Sequence, residues 1–127
     1  MIENFLYLFF SPSESSQAAG RSFWKRRHTR VDQDVPSSMA AMRAQAAAIA
    51  EWGAVPKADR YGELKKIEQP VLVINGSDDI MVPTINSFSL QQHIRNATLI
   101  IYPDSGHGAI FQYPELFVSH ARLFFEG

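Results

Sequence analysis

The sequence predicts an α/β fold, and three observations carry that expectation. Two short β-branched runs, Pro70-Val71-Leu72-Val73-Ile74-Asn75 and Ala97-Thr98-Leu99-Ile100-Ile101-Tyr102, are each bounded by proline or glycine signals. Neither alternates apolar with polar residues, which is the pattern of a strand buried on both faces of a parallel sheet. Between them residues 84–94 read as a helix, long enough to carry the chain back over the sheet. The unit is therefore β-α-β with parallel strands. The carboxyl ends of such strands form the edge where ligands bind. Asp79 follows the first run and His107 follows the second, so both are expected at that edge.

Taken in order, residues 1–10 are compatible with helix or strand. Glu3 near the start and the lack of β-branched residues after Ile2 favour helix. Ser11-Pro12-Ser13-Glu14 signals a turn and a helix entry, and residues 15–27 follow as a helix anchored by Phe23 and Trp24. The cluster Lys25-Arg26-Arg27-His28-Thr29-Arg30 reads as a solvated helix end, since cations are favoured at helix C-termini and acids follow at Asp32 and Asp34. Residues 32–36 form a linker. Ser37 or Ser38 can cap the next helix, which runs to about Trp52 and stops at Gly53. Its large apolar residues, Met39, Met42, Ile49 and Trp52, lie at helical spacing and are expected to pack into the core, with a pocket-lining role as the alternative. Residues 56–67 are a polar connection with a helical turn near 61–66. Pro114 suits the first turn of a final helix reaching Phe125, with Leu116, Phe117, His120, Leu123 and Phe124 as its buried face.

Composition narrows the function. A chain of 127 residues with 46% apolar and 20% charged residues is the size and type of one globular domain. No window approaches the roughly eighteen apolar residues of a membrane helix, and the aromatic opening lacks the marks of a signal peptide. The absence of cysteine excludes a disulfide framework and thiolate metal sites and fits a cytoplasmic chain. A net charge of −1 argues against general nucleic-acid binding. Charge is uneven: residues 1–66 carry 10 Lys and Arg against 7 Asp and Glu, whereas residues 67–127 carry 2 against 6. That shift suggests two sub-regions, 1–66 and 67–127.

A histidine held by a carboxylate is what acyl transfer requires. The acid fixes the tautomer and steadies the imidazolium that forms when the ring takes a proton from a nucleophile. His28, His93, His107 and His120 show no close metal-ligand spacing; His93 is expected at the surface and His120 as a hydrogen-bonded core residue. Asp104 is a candidate to orient the His107 loop, and turn formation accounts for it equally.

At these residues the chain resembles the α/β-hydrolase fold superfamily. Residues 70–83, ending in Asp78-Asp79-Ile80-Met81-Val82-Pro83, look like the strand and loop that bear the acid. Tyr102-Pro103-Asp104-Ser105-Gly106-His107-Gly108 looks like the histidine loop, and Tyr113-Pro114-Glu115-Leu116-Phe117 like the start of the final helix. In that pattern the acid stands four residues before the proline, which selects Asp79 over Asp78. The resemblance implies that residues 67–127 are the C-terminal part of the hydrolase core and that residues 1–66 are a helical cap-like segment before it. It also implies a small-molecule substrate, two-step acyl transfer to water and neither a metal nor an organic cofactor.

The family's nucleophile lies in Gly-x-Ser-x-Gly at a strand-to-helix turn, and that motif is absent from this sequence. The expectation is a chain that holds two triad members, Asp79 and His107, and is inactive alone. Two strands make a poor sheet and the first is expected to expose an apolar edge, so the isolated chain is expected to be marginally stable or to associate through that edge. The rival reading is a non-catalytic fragment or interaction module that pairs with another chain. Nucleic-acid binding through the Arg21 to Arg30 face ranks last, and no membrane partner is expected.

Overall fold

The computed structural model describes residues 2–32 and 34–127. Met1, in the first expected helix, and Gln33, in the expected linker, lie outside the described residues. The order is α1 (Ile2–Phe9), α2 (Glu14–Thr29), α3 (Met39–Gly53), a 3-10 turn (Leu64–Lys66), β1 (Val71–Gly76), α4 (Thr84–His93), β2 (Ala97–Tyr102), α5 (Ala109–Gln112) and α6 (Pro114–Glu126). The two strands pair in parallel, from Val71 opposite Ala97 to Gly76 opposite Tyr102. The expected β-α-β unit is present, and β1 extends one residue further, to Gly76.

Side chains in register share a face of the sheet. Asn75 turns toward α4, donating from Nδ2 to Ser87 Oγ at 3.0 Å. Tyr102 points to the opposite face, where its ring stacks on His120 of α6 and its hydroxyl lies 2.9 Å from His120 Nδ1. Helices thus cover both faces, and His120 is the hydrogen-bonded histidine the sequence led us to expect. Burial pushes the Tyr102 hydroxyl above its ordinary pKa, so it meets the imidazole as a neutral group.

The opening residues are helical, as their composition favoured. Leu6 and Phe10 are buried, and Phe5 stacks on Phe9 and Phe23. Phe23 in turn stacks on Phe111 of α5 at 4.2 Å, joining the first two helices to the histidine end of the sheet. Ser13 caps α2, accepting from Ser16 N–H at 3.1 Å. The helix runs on to Thr29, where Thr29 Oγ1 donates to Arg26 O, one of its last carbonyls, and His28 Nδ1 lies 2.7 Å from Trp24 O. The Lys25 to Arg30 cluster is exposed.

Three expectations about packing are corrected. Met39, Met42, Ile49 and Trp52 are exposed, and no residue of α3 is buried. Its alanine content and the Ser38 cap favour the helix locally whether or not another element covers it. On α6, Phe117, His120 and Phe124 are half-buried, but Leu116 and Leu123 are exposed, because a two-stranded sheet offers this helix only a narrow surface. His93 is half-buried, its ring stacked on Tyr61 at 3.6 Å. The short helix α5 was not anticipated; four residues are too few to show a period.

Among the described residues, no helix is long and apolar enough to cross a membrane.

Candidate active site

The loop after β1 is built to present Asp79. Its side chain is 1% exposed, and Oδ1 accepts from the backbone N–H groups of Met81 and Val82, each at 2.9 Å. This is a local Asx-type arrangement, in which the carboxylate organises the turn that follows it. Asn75 Nδ2 also donates to Val82 O, and Thr84 Oγ1 donates to Gly76 O at 2.6 Å. The loop is therefore tied at both ends to β1 and α4, leaving Asp79 Oδ2 directed at one partner.

That partner is His107, whose Nδ1 lies 2.9 Å from Asp79 Oδ2. A carboxylate can only accept, so Nδ1 carries the proton and Nε2 is left as the basic pole of the neutral ring. Among the described residues, Nε2 has no hydrogen-bond partner, and the histidine side chain is 34% exposed. The pair is thus a buried acid, an oriented imidazole and one ring nitrogen free to exchange a proton. Asp78, the neighbouring acid, is instead exposed, accepting from Ser77 Oγ.

The two loops also hold each other. Ser77 N–H donates to Tyr102 O at 2.9 Å, and Asp78 N–H donates to Ser105 O at 2.8 Å. Gly76 makes this approach feasible: a Cβ there would run into the backbone oxygens of Ser105 and Gly106. Ser105 is fully buried and turns its hydroxyl to Tyr102 O.

Of the other groups around the histidine, sequence singled out Asp104 but not Phe9 or the serines that meet it. The end of α1 packs against its loop: Gly108 N–H donates to Phe9 O at 2.6 Å, and the Phe9 ring meets the His107 ring edge-on at 5.2 Å. A Cβ on Gly108 would stand 2.9 Å from Phe9 O, so glycine is what lets the helix end come this close. The carboxylate of Asp104 accepts from Ser11, Ser13 and Ser15, bonds that hold its pKa below the ordinary carboxylate range. The sequence flagged Asp104 as a candidate to orient this loop, with turn formation as the alternative, but gave no sign of the three serines that would meet it. A cavity of about 510 Å³ opens beside the acid loop, lined by Tyr7, Phe10, Pro12, Gln17, Asp78 and Ile80 among others. Among the described residues, no group of three or more histidines and carboxylates is placed to hold a metal ion.

Comparison with known proteins places this geometry in context. The sequence pattern of the alpha/beta hydrolase fold matches residues 3–114. The pimeloyl-[acyl-carrier protein] methyl ester esterase of Nitrosomonas europaea is 39% identical over 61 residues, 48% of this chain and 24% of that protein. The protein of the same name from Neisseria meningitidis is 30% identical over 74 residues, 58% of this chain and 29% of that protein. A solved alpha/beta hydrolase fold protein from Chitinophaga pinensis superposes with a TM-score of 0.86 at 39% identity, covering 100% of this chain and 46% of the other. The chain therefore spans about a quarter of the length of those curated relatives and just under half of that solved structure. With the family pattern matching most of the chain, and with a fold to suit it, this protein belongs to the alpha/beta hydrolase fold family.

Proposed function

We propose that Asp79 orients His107 as the general acid and base of a hydrolase that cleaves a carboxylic ester, or a related acyl or carbon–carbon bond, of a small-molecule substrate. The single observation that supports this most is the 2.9 Å contact between His107 Nδ1 and Asp79 Oδ2 at matching ends of adjacent parallel strands. In this reading His107 Nε2 takes the proton of a hydroxyl nucleophile as it attacks the carbonyl carbon, then returns it to the leaving group. A water molecule repeats the cycle to release the acid. The name shared by the two curated relatives, a methyl ester esterase, supports an ester as the first substrate class to try. Residues 1–66 act as the cap-like segment of the site, a role supported by the contact of Phe9 with His107. The lack of cysteine supports a reducing, cytoplasmic setting.

The 127 residues contain no Gly-x-Ser-x-Gly, so the chain by itself supplies an acid and a base and no nucleophile. The test is a covalent serine-hydrolase probe applied to the purified chain and to a longer gene product that carries this sequence with a nucleophile elbow. Labelling is expected only in the longer protein, and Asp79→Asn and His107→Ala should abolish it. Ester turnover by the 127-residue chain, lost in those two variants, would overturn the assignment of the nucleophile to another region. Labelling of the longer protein that ignores both substitutions would overturn the pair itself.

A second reading, a non-catalytic module that pairs with another chain, is favoured by one observation. Among the described residues β1 pairs only with β2, so one edge of β1 has no strand beside it.

A further inference from the structure

Ser11, Ser13 and Ser15 lie in the turn between α1 and the start of α2, and Asp104 lies just after β2, three residues before His107. Ser11 Oγ donates to Asp104 Oδ1 at 2.5 Å, while Ser13 Oγ and Ser15 Oγ donate to Oδ2 at 2.6 and 2.9 Å. Three hydroxyl donors on one carboxylate exceed what a turn requires. Asp104 also has φ +47°, and among the described residues it is the only non-glycine with positive φ. L-residues avoid that conformation, with Asp and Asn the readiest exceptions.

The bonding continues on the far side of the histidine. Gln112 Nε2 donates to Asp104 O at 2.8 Å, and Gln112 Oε1 accepts from Ser16 Oγ at 2.7 Å. Ser16 is fully buried, and its hydroxyl in turn accepts from Ser11 N–H. His107 therefore sits in a loop fastened at residues 104 and 112 to one serine-rich turn, and at Gly108 to the carbonyl of Phe9. The Asp79–His107 contact, by comparison, is a single hydrogen bond to a ring that is one-third exposed.

We propose that Asp104 is a positioning residue: its carboxylate, seated on Ser11, Ser13 and Ser15, locks the α1–α2 turn to the histidine loop and so holds the His107 ring between Phe9 and Asp79. This rests on the reading of Asp79 and His107 as acid and base, and extends it by assigning the orientation of the base to a second carboxylate that does not touch the imidazole. The serine-rich turn thereby couples the cap-like segment to the base, so that displacing one displaces the other.

The experiment is nitrogen-15 and proton NMR of the histidine rings in the 127-residue chain. Two readouts report on His107, the Nδ1–H tautomer pattern and the nuclear Overhauser contact with the Phe9 ring. The His120 ring, bonded to Tyr102, is the internal control for the fold. Asp104→Gly removes the carboxylate while permitting the positive φ. It is expected to erase the Phe9 contact and move His107 to the mixed tautomer pattern of a free imidazole, with His120 unchanged. Asp104→Asn keeps the backbone preference and one acceptor oxygen and should lie between. His107 signals that stay as in the parent in both variants would overturn the proposal. If Asp104→Gly loses the His120 signals as well, the double variant Ser11→Ala/Ser15→Ala decides, since it leaves the helix cap at Ser13 in place and carries the same two outcomes. Asp79→Asn separates the two readings. If it leaves the tautomer pattern unchanged, the acid–base pair falls, while the Phe9 contact still reports on Asp104.

Discussion

His107 Nδ1 stands 2.9 Å from Asp79 Oδ2, and the other oxygen of that carboxylate is occupied by two backbone N–H groups. An amide at position 79 would present either a donor to a ring nitrogen that already carries a proton or a weaker acceptor, so the tautomer would no longer be set. In a gene product that includes a nucleophile elbow, Asp79→Asn is expected to lower kcat by about 10⁴-fold while leaving KM nearly unchanged. Steady-state ester hydrolysis measures both.

The close passage of β1 under the histidine loop gives a second test. Gly76→Ala drives its Cβ into the backbone oxygens of Ser105 and Gly106, which no side-chain rotation can relieve. The expected loss of stability is about 1–3 kcal/mol, read from the midpoint of urea unfolding. A fall in hydrolysis by the longer protein should accompany it, because the atoms displaced lie one and two residues before His107.

Tyr102 is 1% exposed and its hydroxyl faces His120 Nδ1. Tyr102→Phe retains the ring stacking but leaves the imidazole nitrogen without its partner. The cost should be about 1 kcal/mol, with no effect on probe labelling of the longer protein, since His120 lies on the final helix and takes no part in the chemistry.

Acid should act on the serine–aspartate junction. The hydroxyls of Ser11, Ser13 and Ser15 hold the Asp104 carboxyl below the ordinary aspartate value, which is about 3.9. A group whose folded pKa is depressed contributes stability that is fully present above its unfolded value and is lost as pH falls through the folded one. The contribution of Asp104 is therefore constant through neutral pH and declines only below about pH 4. Urea midpoints compared near neutrality and in that acid range should converge for parent and Asp104→Asn as the pH drops. A difference that stays constant down to the acid limit would contradict this.

The unpaired edge of β1 predicts association. In light scattering over a concentration series, the apparent mass of the 127-residue chain should rise with concentration, as expected for an open row of backbone donors and acceptors beside Val71 to Ile74. A monomer at every concentration that also melts cooperatively at high temperature would refute it.

The β-α-β unit and its two key residues were legible because the signals are local and carry direct physical meaning. Pro and Gly bracket β-branched runs, the crossover has only one common packing, and Asp79 and His107 follow the ends of their strands. The helix entry within residues 11–14 and a cap at Ser37 or Ser38 were legible for the same reason, since a side chain satisfying an N–H three residues on depends on nothing distant; the structure places the caps at Ser13 and Ser38. Burial was less so. Met39, Met42, Ile49 and Trp52 show a helical period whether or not another element covers them, and Leu116 and Leu123 looked inward until the width of the sheet was known.

What the sequence determined by itself, then, was the order of the longer elements, the parallel pairing of two strands and the placing of Asp79 and His107 at one edge. Only the tertiary structure decided what surrounds that edge. It brought Phe9 against the imidazole and Ser11, Ser13 and Ser15 onto Asp104 across some ninety positions of chain. Such contacts depend on how α1 and α2 dock on the histidine loop, and docking follows from the summed shape of packed surfaces, for which no short stretch of sequence carries a signature.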